Sequence, residues 1–298
     1  MRILFFGTPY FAEVVLKKLI KKHTVVGVVC QNDKPANRGK KMVSPNIKTL
    51  AESLGIKVFQ FERLLDNLEE IKSVDCDIFV TASYGKILPK EVLDLKMCIN
   101  VHPSMLPKYR GATPIQTALL NGDNLTGVTI MKTDVGMDDG DIIEQREVEI
   151  SKEDDYLSLM PKLAEIGGDL LLEALSKIEN KTAKFVKQND DEATFTKLIK
   201  KEDALLDFNE SADVLVNKVR AYVENPTAYF FLGEDRIKVY KAKVEKEDIP
   251  NVNIGDVVTV NKRMFLIKTG KDTFSISRCQ APGGKVLDVA DFLNGYRF

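Results

Sequence analysis

Residues 1–30 decide most of what this chain can become. Arg2–Phe6 is a short unbroken apolar run that stops at Gly7-Thr8-Pro9, and Thr24–Cys30 is a second, β-branched run. Between them Phe11, Val14, Val15, Leu16 and Leu19 recur at helical spacing, and Pro9 suits the first turn of a helix. Strand, turn, helix and strand in that order make a βαβ unit, which builds a parallel sheet with helices on both faces. Such sheets bind ligands beyond the carboxyl ends of their strands, so the loops after strands are where chemistry is to be sought. Gly7 stands alone after the first strand, with no GxGxxG, and this sets aside a nicotinamide-dependent oxidoreductase.

Further along, the pattern predicts a helix over 45–54, a strand over 57–60, a helix over 61–73 and a buried strand over 77–81. A short helix over 89–95, a strand over 97–101 and a helix from Thr113-Pro114 to Asn121-Gly122 follow. Two strands, 127–132 and 142–150, flank an acidic loop, and a long helix over 155–177 carries an apolar face at Leu159, Leu163, Ile166, Leu170 and Leu171. Near Asn180 the texture changes. Gln188-Asn189-Asp190-Asp191-Glu192 is a charged segment that suggests a structureless linker. After a helix over 212–220, short alternating strands separated by turns point to a small antiparallel barrel. The expected division is an α/β domain over 1–187, a linker over 188–203 and a small barrel domain over 204–298.

Composition narrows the class without choosing a function. The 298 residues are 44% hydrophobic and 29% charged with a formal net charge of −1, as in a soluble chain with a real core. Cys30, Cys76, Cys98 and Cys279 are scattered without CxxC or a Cys/His cluster, against a zinc site or a disulfide framework. No apolar run approaches membrane-spanning length, and a cytoplasmic protein is expected.

One stretch concentrates polar chemistry. In Ile99-Asn100-Val101-His102-Pro103-Ser104, alternation puts Asn100 and His102 on one face at a strand's carboxyl end. Taken alone, His102 is as readily a hydrogen-bonded core histidine as a catalytic one. Lys34, Arg38, Lys40 and Lys41 surround Gly39 in a polar loop, either a grip for a polyanion such as RNA phosphate or a solvated face. The small-residue turn Ala82-Ser83-Tyr84-Gly85-Lys86-Ile87-Leu88 can cup a flat heteroaromatic ring or simply pack into the core. The loop Asp134-Val135-Gly136-Met137-Asp138-Asp139-Gly140-Asp141 invites a calcium reading but lacks EF-hand spacing; an acidic turn is the simpler account. Lys238, Lys241 and Lys243 form either a basic stripe or a protected sheet edge.

Together, Phe6-Gly7-Thr8-Pro9-x-Phe11, Asn37-Arg38-Gly39-Lys40-Lys41, Asn100-x-His102 through Gly111, and Asp134-x-Gly136-x-Asp138-x-Gly140-Asp141 resemble the methionyl-tRNA formyltransferases along the whole chain. Met105 stands where the family has Leu, a similar volume, and the basic loop is slightly shortened around Met42-Val43-Ser44. The resemblance implies a Rossmann-like formyltransferase domain with a parallel sheet, followed by an OB-like barrel. It also implies formyl transfer from 10-formyltetrahydrofolate, without a metal, to the α-amine of initiator methionyl-tRNA, by a monomer. Asn100, His102 and Asp138 are then the catalytic set. Ser104, Met105, Leu106 and Pro107, with Tyr84, Gly85, Lys86, Ile87, Leu88 and Val135, are expected around the folate. Arg38, Gly39, Lys40 and Lys41 are expected on the tRNA. The Asn-x-His…Asp set is common to enzymes using this donor, so it specifies the chemistry and leaves the acceptor to the basic loop and the barrel. Competing readings are the same donor with another acceptor, such as an amino sugar nucleotide or water, and an RNA-binding module without catalysis.

Overall fold

The computed structural model describes residues 1–35, 42–246, 249–260 and 263–296. The chain forms two compact units, one of 1–114, 125–149 and 160–196, the other of 115–124, 150–159 and 197–298.

In the first unit, β1 (Arg2–Gly7), α1 (Tyr10–Leu19) and β2 (Thr24–Cys30) realise the opening βαβ unit. Two-residue strands β3 (Lys34–Pro35) and β4 (Met42–Val43) pair with each other. Then come α2 (Asn46–Ser53), β5 (Val58–Gln60), α3 (Leu68–Ser73), β6 (Ile78–Ala82), α4 (Lys90–Leu93) and β7 (Cys98–His102). β8 (Leu125–Lys132), β9 (Ile142–Glu149) and α6 (Tyr156–Glu179) from Met160 onward complete this unit, while α5 (Pro114–Leu120) belongs to the second unit from Ile115. Strand order is β5-β2-β1-β6-β7-β8-β9. The run from β5 to β7 is parallel, as the crossovers require, while β8 and β9 are antiparallel.

Period-two alternation splits the apolar residues of the sheet between two helical layers. Leu4, Phe6, Phe79 and Cys98 share a buried cluster with Ile71 of α3 and Val92 of α4. On the opposite face α6 packs backbone-close, since a Cβ on Gly167 would lie 2.8 Å from Val101 Cγ1.

Two expectations are corrected here. Residues 61–73 are not one helix: Leu65–Asn67 is a 3₁₀ turn ahead of α3, and Phe61 and Leu64 are buried in the cluster instead. The segment from Gln188 is not structureless either. Gln188 is 5% exposed, Asp190–Glu192 is a 3₁₀ turn capped by Asn189, and Thr194 and Thr196 exchange backbone hydrogen bonds with Arg110. A charged sequence misled because Gln188 bonds the distant backbone of Asp138 and Gly140 and Asp190 takes the distant Arg110 side chain.

The second unit contains α7 (Ala212–Ala221), β10 (Tyr229–Leu232), β11 (Asp235–Glu245), β12 (Val257–Val260), β13 (Met264–Lys268), β14 (Thr273–Gln280), β15 (Leu287–Asp288) and α8 (Val289–Gly295). Its antiparallel sheet runs β10-β11-β14-β13-β12 with β15 on β14, a curled, OB-like arrangement around Phe230, Phe265 and Phe274. Lys241 and Lys243 face Glu153 and Glu245 at 3.7 and 2.5 Å, so part of the basic stripe is neutralised.

Candidate active site

One face of the sheet turns from apolar to polar as β6 and β7 approach their carboxyl ends. Phe79 gives way to Thr81 on β6, and Cys98 to Asn100 and then His102 on β7. Thr81 is the register partner of Asn100, and its Oγ1 donates to Asn100 Oδ1 at 2.8 Å. With the carbonyl end of the amide held, the NH₂ end faces the other way, where Asp138 Oδ1 stands 3.4 Å from Nδ2.

His102 is 4% exposed. Its Nε2 lies 3.0 Å from the Tyr109 carbonyl oxygen, and its Nδ1 lies 3.6 Å from Asp138 Oδ2. Both neighbours are acceptors, so either ring nitrogen donates when it carries the proton. Asp138 arrives from the loop between β8 and β9, and its Oδ2 accepts the Gly111 N–H at 2.8 Å. Its φ is +50°, a region that aspartate tolerates better than most side chains. At Gly140 a Cβ would lie 1.8 Å from the Lys132 carbonyl oxygen, so the loop closes only on glycine. Among the described residues, no group of three or more His, Cys, Asp or Glu is arranged to hold a metal ion.

The residues expected around the folate differ in what they offer. Ile87 and Val135 are 79% and 55% exposed, apolar surface left open to a ligand. Gly85 (φ +77°) presents backbone where a Cβ would collide with Gln31 Nε2 at 2.4 Å. Tyr84 and Leu88 are buried in the apolar cluster, and burial pushes the Tyr84 phenol up to about 12. The Tyr84 carbonyl accepts from Thr8 Oγ1 and Gln31 Nε2. Lys86 Nζ donates to the Phe61 and Glu62 carbonyls, both at 2.8 Å. An open depression of about 340 Å³ borders this loop at Leu64, Leu65, Lys86, Ile87 and Pro89, a small-molecule size; its lining does not include Asn100, His102 or Asp138. Ser104 and Leu106 are 0% and 3% exposed, with their side chains turned inward. Thr129 Oγ1 bonds the Ser104 carbonyl and the Leu106 N–H, and Gln145 Nε2 takes the Leu106 carbonyl. Met105 and Pro107 are half-buried; Met105 lies over Gly127, where an added Cβ would come within 2.4 Å of its Sδ.

Arg38, Gly39, Lys40 and Lys41 lie outside the described residues. The base of their loop is anchored: Asp33 accepts from Gln60, Lys48 and Ser44, and these bonds, Gln60 first, hold its carboxyl below the usual range.

Sequence reasoning missed Thr81, the Tyr109 carbonyl, the Gly111 N–H and Gln188. Thr81 becomes visible only when β6 and β7 are known to be neighbours. Gln188 sits in a segment without any pattern and gave no signal.

A sheet that brings an amide, an imidazole and a carboxylate together beyond one strand's carboxyl end offers hydrogen-bond donors and a proton carrier for acyl chemistry, and the family models name the class as formyl transferases. One described as "Formyl transferase" matches residues 1–175, and one described as "Formyl transferase, C-terminal domain" matches 198–297. The chain is similar to the methionyl-tRNA formyltransferase of Kosmotoga olearia, 41% identical across 97% of this chain and 94% of that one. It is also similar to that of Fusobacterium nucleatum, 39% identical across 99% and 97%. The chain belongs to the methionyl-tRNA formyltransferase family. Solved structures agree on the fold. The N-formyltransferase of Helicobacter canadensis, solved with folinic acid and dTDP-3-aminofucose, gives a TM-score of 0.70 at 22% identity over 92% of this chain and 97% of that one. HypX of Aquifex aeolicus, solved with tetrahydrofolic acid, gives 0.70 at 18% identity over 98% of this chain. The chain spans 47% of the length of HypX.

Proposed function

We propose that this chain transfers the formyl group of 10-formyltetrahydrofolate to the α-amino group of initiator methionyl-tRNA, yielding N-formylmethionyl-tRNA and tetrahydrofolate for translation initiation. Membership of the family supports the reaction. The observation that carries the mechanism is the convergence of Asn100 and His102 on the Asp138 carboxylate, at 3.4 and 3.6 Å.

The α-amine attacks as the free base, which is available near neutrality because α-amino groups titrate at about 7.7–8. Its lone pair forms the new C–N bond, and the formyl oxygen takes up negative charge. The Asn100 N–H, aimed by Thr81, and a His102 N–H are the donors placed to stabilise that oxyanion. Collapse breaks the bond to N10, which needs a proton as it leaves; His102 takes the proton that the attacking amine loses and delivers one to N10, so the imidazole ends as it began. Asp138 orients the ring and steadies positive charge on it. The steps balance without a metal or a covalent enzyme intermediate.

For the donor, the apolar Ile87 and Val135 with the Gly85 backbone offer a bed for a flat ring, and Ser104–Pro107 shape its wall. Two structural neighbours were solved with folate compounds, tetrahydrofolic acid and folinic acid. For the acceptor, the reading assigns Arg38, Gly39, Lys40 and Lys41 to the tRNA near its acceptor end and the C-terminal unit to the tRNA body. Among the described residues no helix is long and apolar enough to cross a membrane, and the reading places the protein in the cytoplasm as a monomer.

The test is to supply purified protein with 10-formyltetrahydrofolate and charged initiator tRNA, with amino sugar nucleotide and water as alternative acceptors. Formylmethionine on the tRNA is the expected product. Hydrolysis or sugar formylation without it would overturn the reading. Arg38→Ala is expected to weaken use of tRNA more than of folate; the reverse would remove the loop assignment.

A further inference from the structure

We infer that Gln188 is a positioning residue for Asp138: a buried Arg110–Gln188 pair holds the backbone of 138–140 where the carboxylate meets His102, Asn100 and Gly111. The inference rests on the proposed role of Asp138.

Gln188 and Arg110 are 5% and 4% exposed. The Gln188 NH₂ donates to the Asp138 carbonyl at 2.8 Å and to the Gly140 carbonyl at 2.7 Å. Its Oε1 accepts from Arg110 Nε at 3.0 Å and Nη2 at 2.9 Å. These are all the hydrogen bonds a glutamine amide has to make. A guanidinium only donates, so the amide oxygen must face Arg110 and the nitrogen must face the loop. Arg110 Nη2 also reaches Asp190 Oδ1 at 2.7 Å, a carboxylate 69% exposed, which balances the buried charge from the surface side.

The clamp acts where little else holds. Val135 and Met137 are 55% and 54% exposed, so the tip of the loop gains little from apolar burial. Asp138 nevertheless keeps a φ of +50°, and the two carbonyls seized by Gln188 stand on either side of Asp139. Arg110 anchors both ends of the arrangement. Its side chain fixes Gln188, and its backbone, bonded to Thr194 and Thr196, carries the neighbouring Gly111 N–H that Asp138 accepts. Gln188 lies between the two matched spans, 1–175 and 198–297, so neither family match includes it.

A glutamine buried only for folding would show the same bonds, and the test separates the two roles. Gln188→Glu keeps the shape and the acceptors for Arg110 but removes both donors. Its kcat is expected to fall about 10- to 100-fold, the cost of a small misplacement, with KM for 10-formyltetrahydrofolate and for methionyl-tRNA held within about twofold. In an Asp138→Asn background the same substitution is expected to cost less than about twofold, because it acts through the carboxylate already removed. Hydrogen exchange at the Gly111 amide is expected to quicken at least about tenfold, a readout independent of activity. Unchanged kcat, a loss carried in KM, an equal loss without the Asp138 carboxylate, or unchanged Gly111 exchange each overturns the inference. Should Gln188→Glu fail to fold, Gln188→Met removes the donors at similar volume and faces the same measurements. Wild-type protein that fails to formylate methionyl-tRNA would sink the proposed function; an active wild type with an equally active variant would sink only the role of Gln188.

Discussion

His102 shows how little a side chain's identity says about its task. A buried histidine bonded to a carbonyl is ordinary core chemistry; it becomes a candidate acid because Asp138 Oδ2 stands 3.6 Å from its other nitrogen and Asn100 flanks the same carboxylate. His102→Ala or Asn100→Ala is expected to lower kcat by about 10²–10³-fold with the fold intact, the loss typical of one oxyanion donor. Near-normal turnover in either would remove that residue from the mechanism. Thr81→Val keeps the volume and frees the Asn100 amide to flip. The cost of one hydrogen bond, about 0.5–1.5 kcal/mol, corresponds to roughly a two- to twelvefold loss of kcat, and a steady-state assay that finds none would deny Thr81 its aiming role. Asn100, His102 and Asp138 were all legible as residues from their motifs. Thr81 and Gln188 were not, because each acquires its meaning from a partner 19 or 50 positions away.

Among the elements, the β8–β9 loop and the loop after β2 carry the most consequence. A methyl group at Gly140 meets backbone, the Lys132 carbonyl, and backbone cannot step aside as a flexible side chain does. Gly140→Ala is therefore expected to cost about 1–3 kcal/mol of stability, in the range of overpacking, and to lower kcat by displacing Asp138. A denaturation curve and turnover matching wild type would show that the loop adjusts elsewhere. After β2, Asp33 ties the loop base to Gln60, Lys48 and Ser44. Its carboxyl is held below the ordinary range, so the folded state favours the ionised form. The stabilisation is complete above the unfolded carboxylate value of about 3.9 and is lost as pH falls through the lower folded value. Denaturation of wild type and Asp33→Asn across acid pH should show a gap at neutrality that closes toward low pH; a constant gap would mean that packing, and not charge, ties the loop. The elements themselves were largely legible, since periodicity marks them. The 61–73 segment was not, because Phe61 and Leu64 satisfy helical spacing and a core equally well.

For the whole molecule, the free cysteines report on closure. Cys30, Cys76, Cys98 and Cys279 are buried, and burial pushes Cys30 up to about 11 and Cys98 and Cys279 up to about 12. Thiolate, not thiol, reacts, so a thiol reagent near pH 8 is expected to label the native protein slowly and all four positions on unfolding. Rapid native labelling would reveal cores that open. The amino-acid sequence by itself determined the βαβ start, the strand that delivers Asn100 and His102, the second unit's short strands, and, through its motifs, the chemistry. Those are local properties: side-chain periodicity, turn residues and a few fixed spacings. The tertiary structure alone decided that β6 stands beside β7, that β8 and β9 turn antiparallel, and that the segment at Gln188 folds back beneath Asp138. Strand order and the satisfaction of buried polar groups depend on which surfaces meet, and no pattern along one segment records its distant partner.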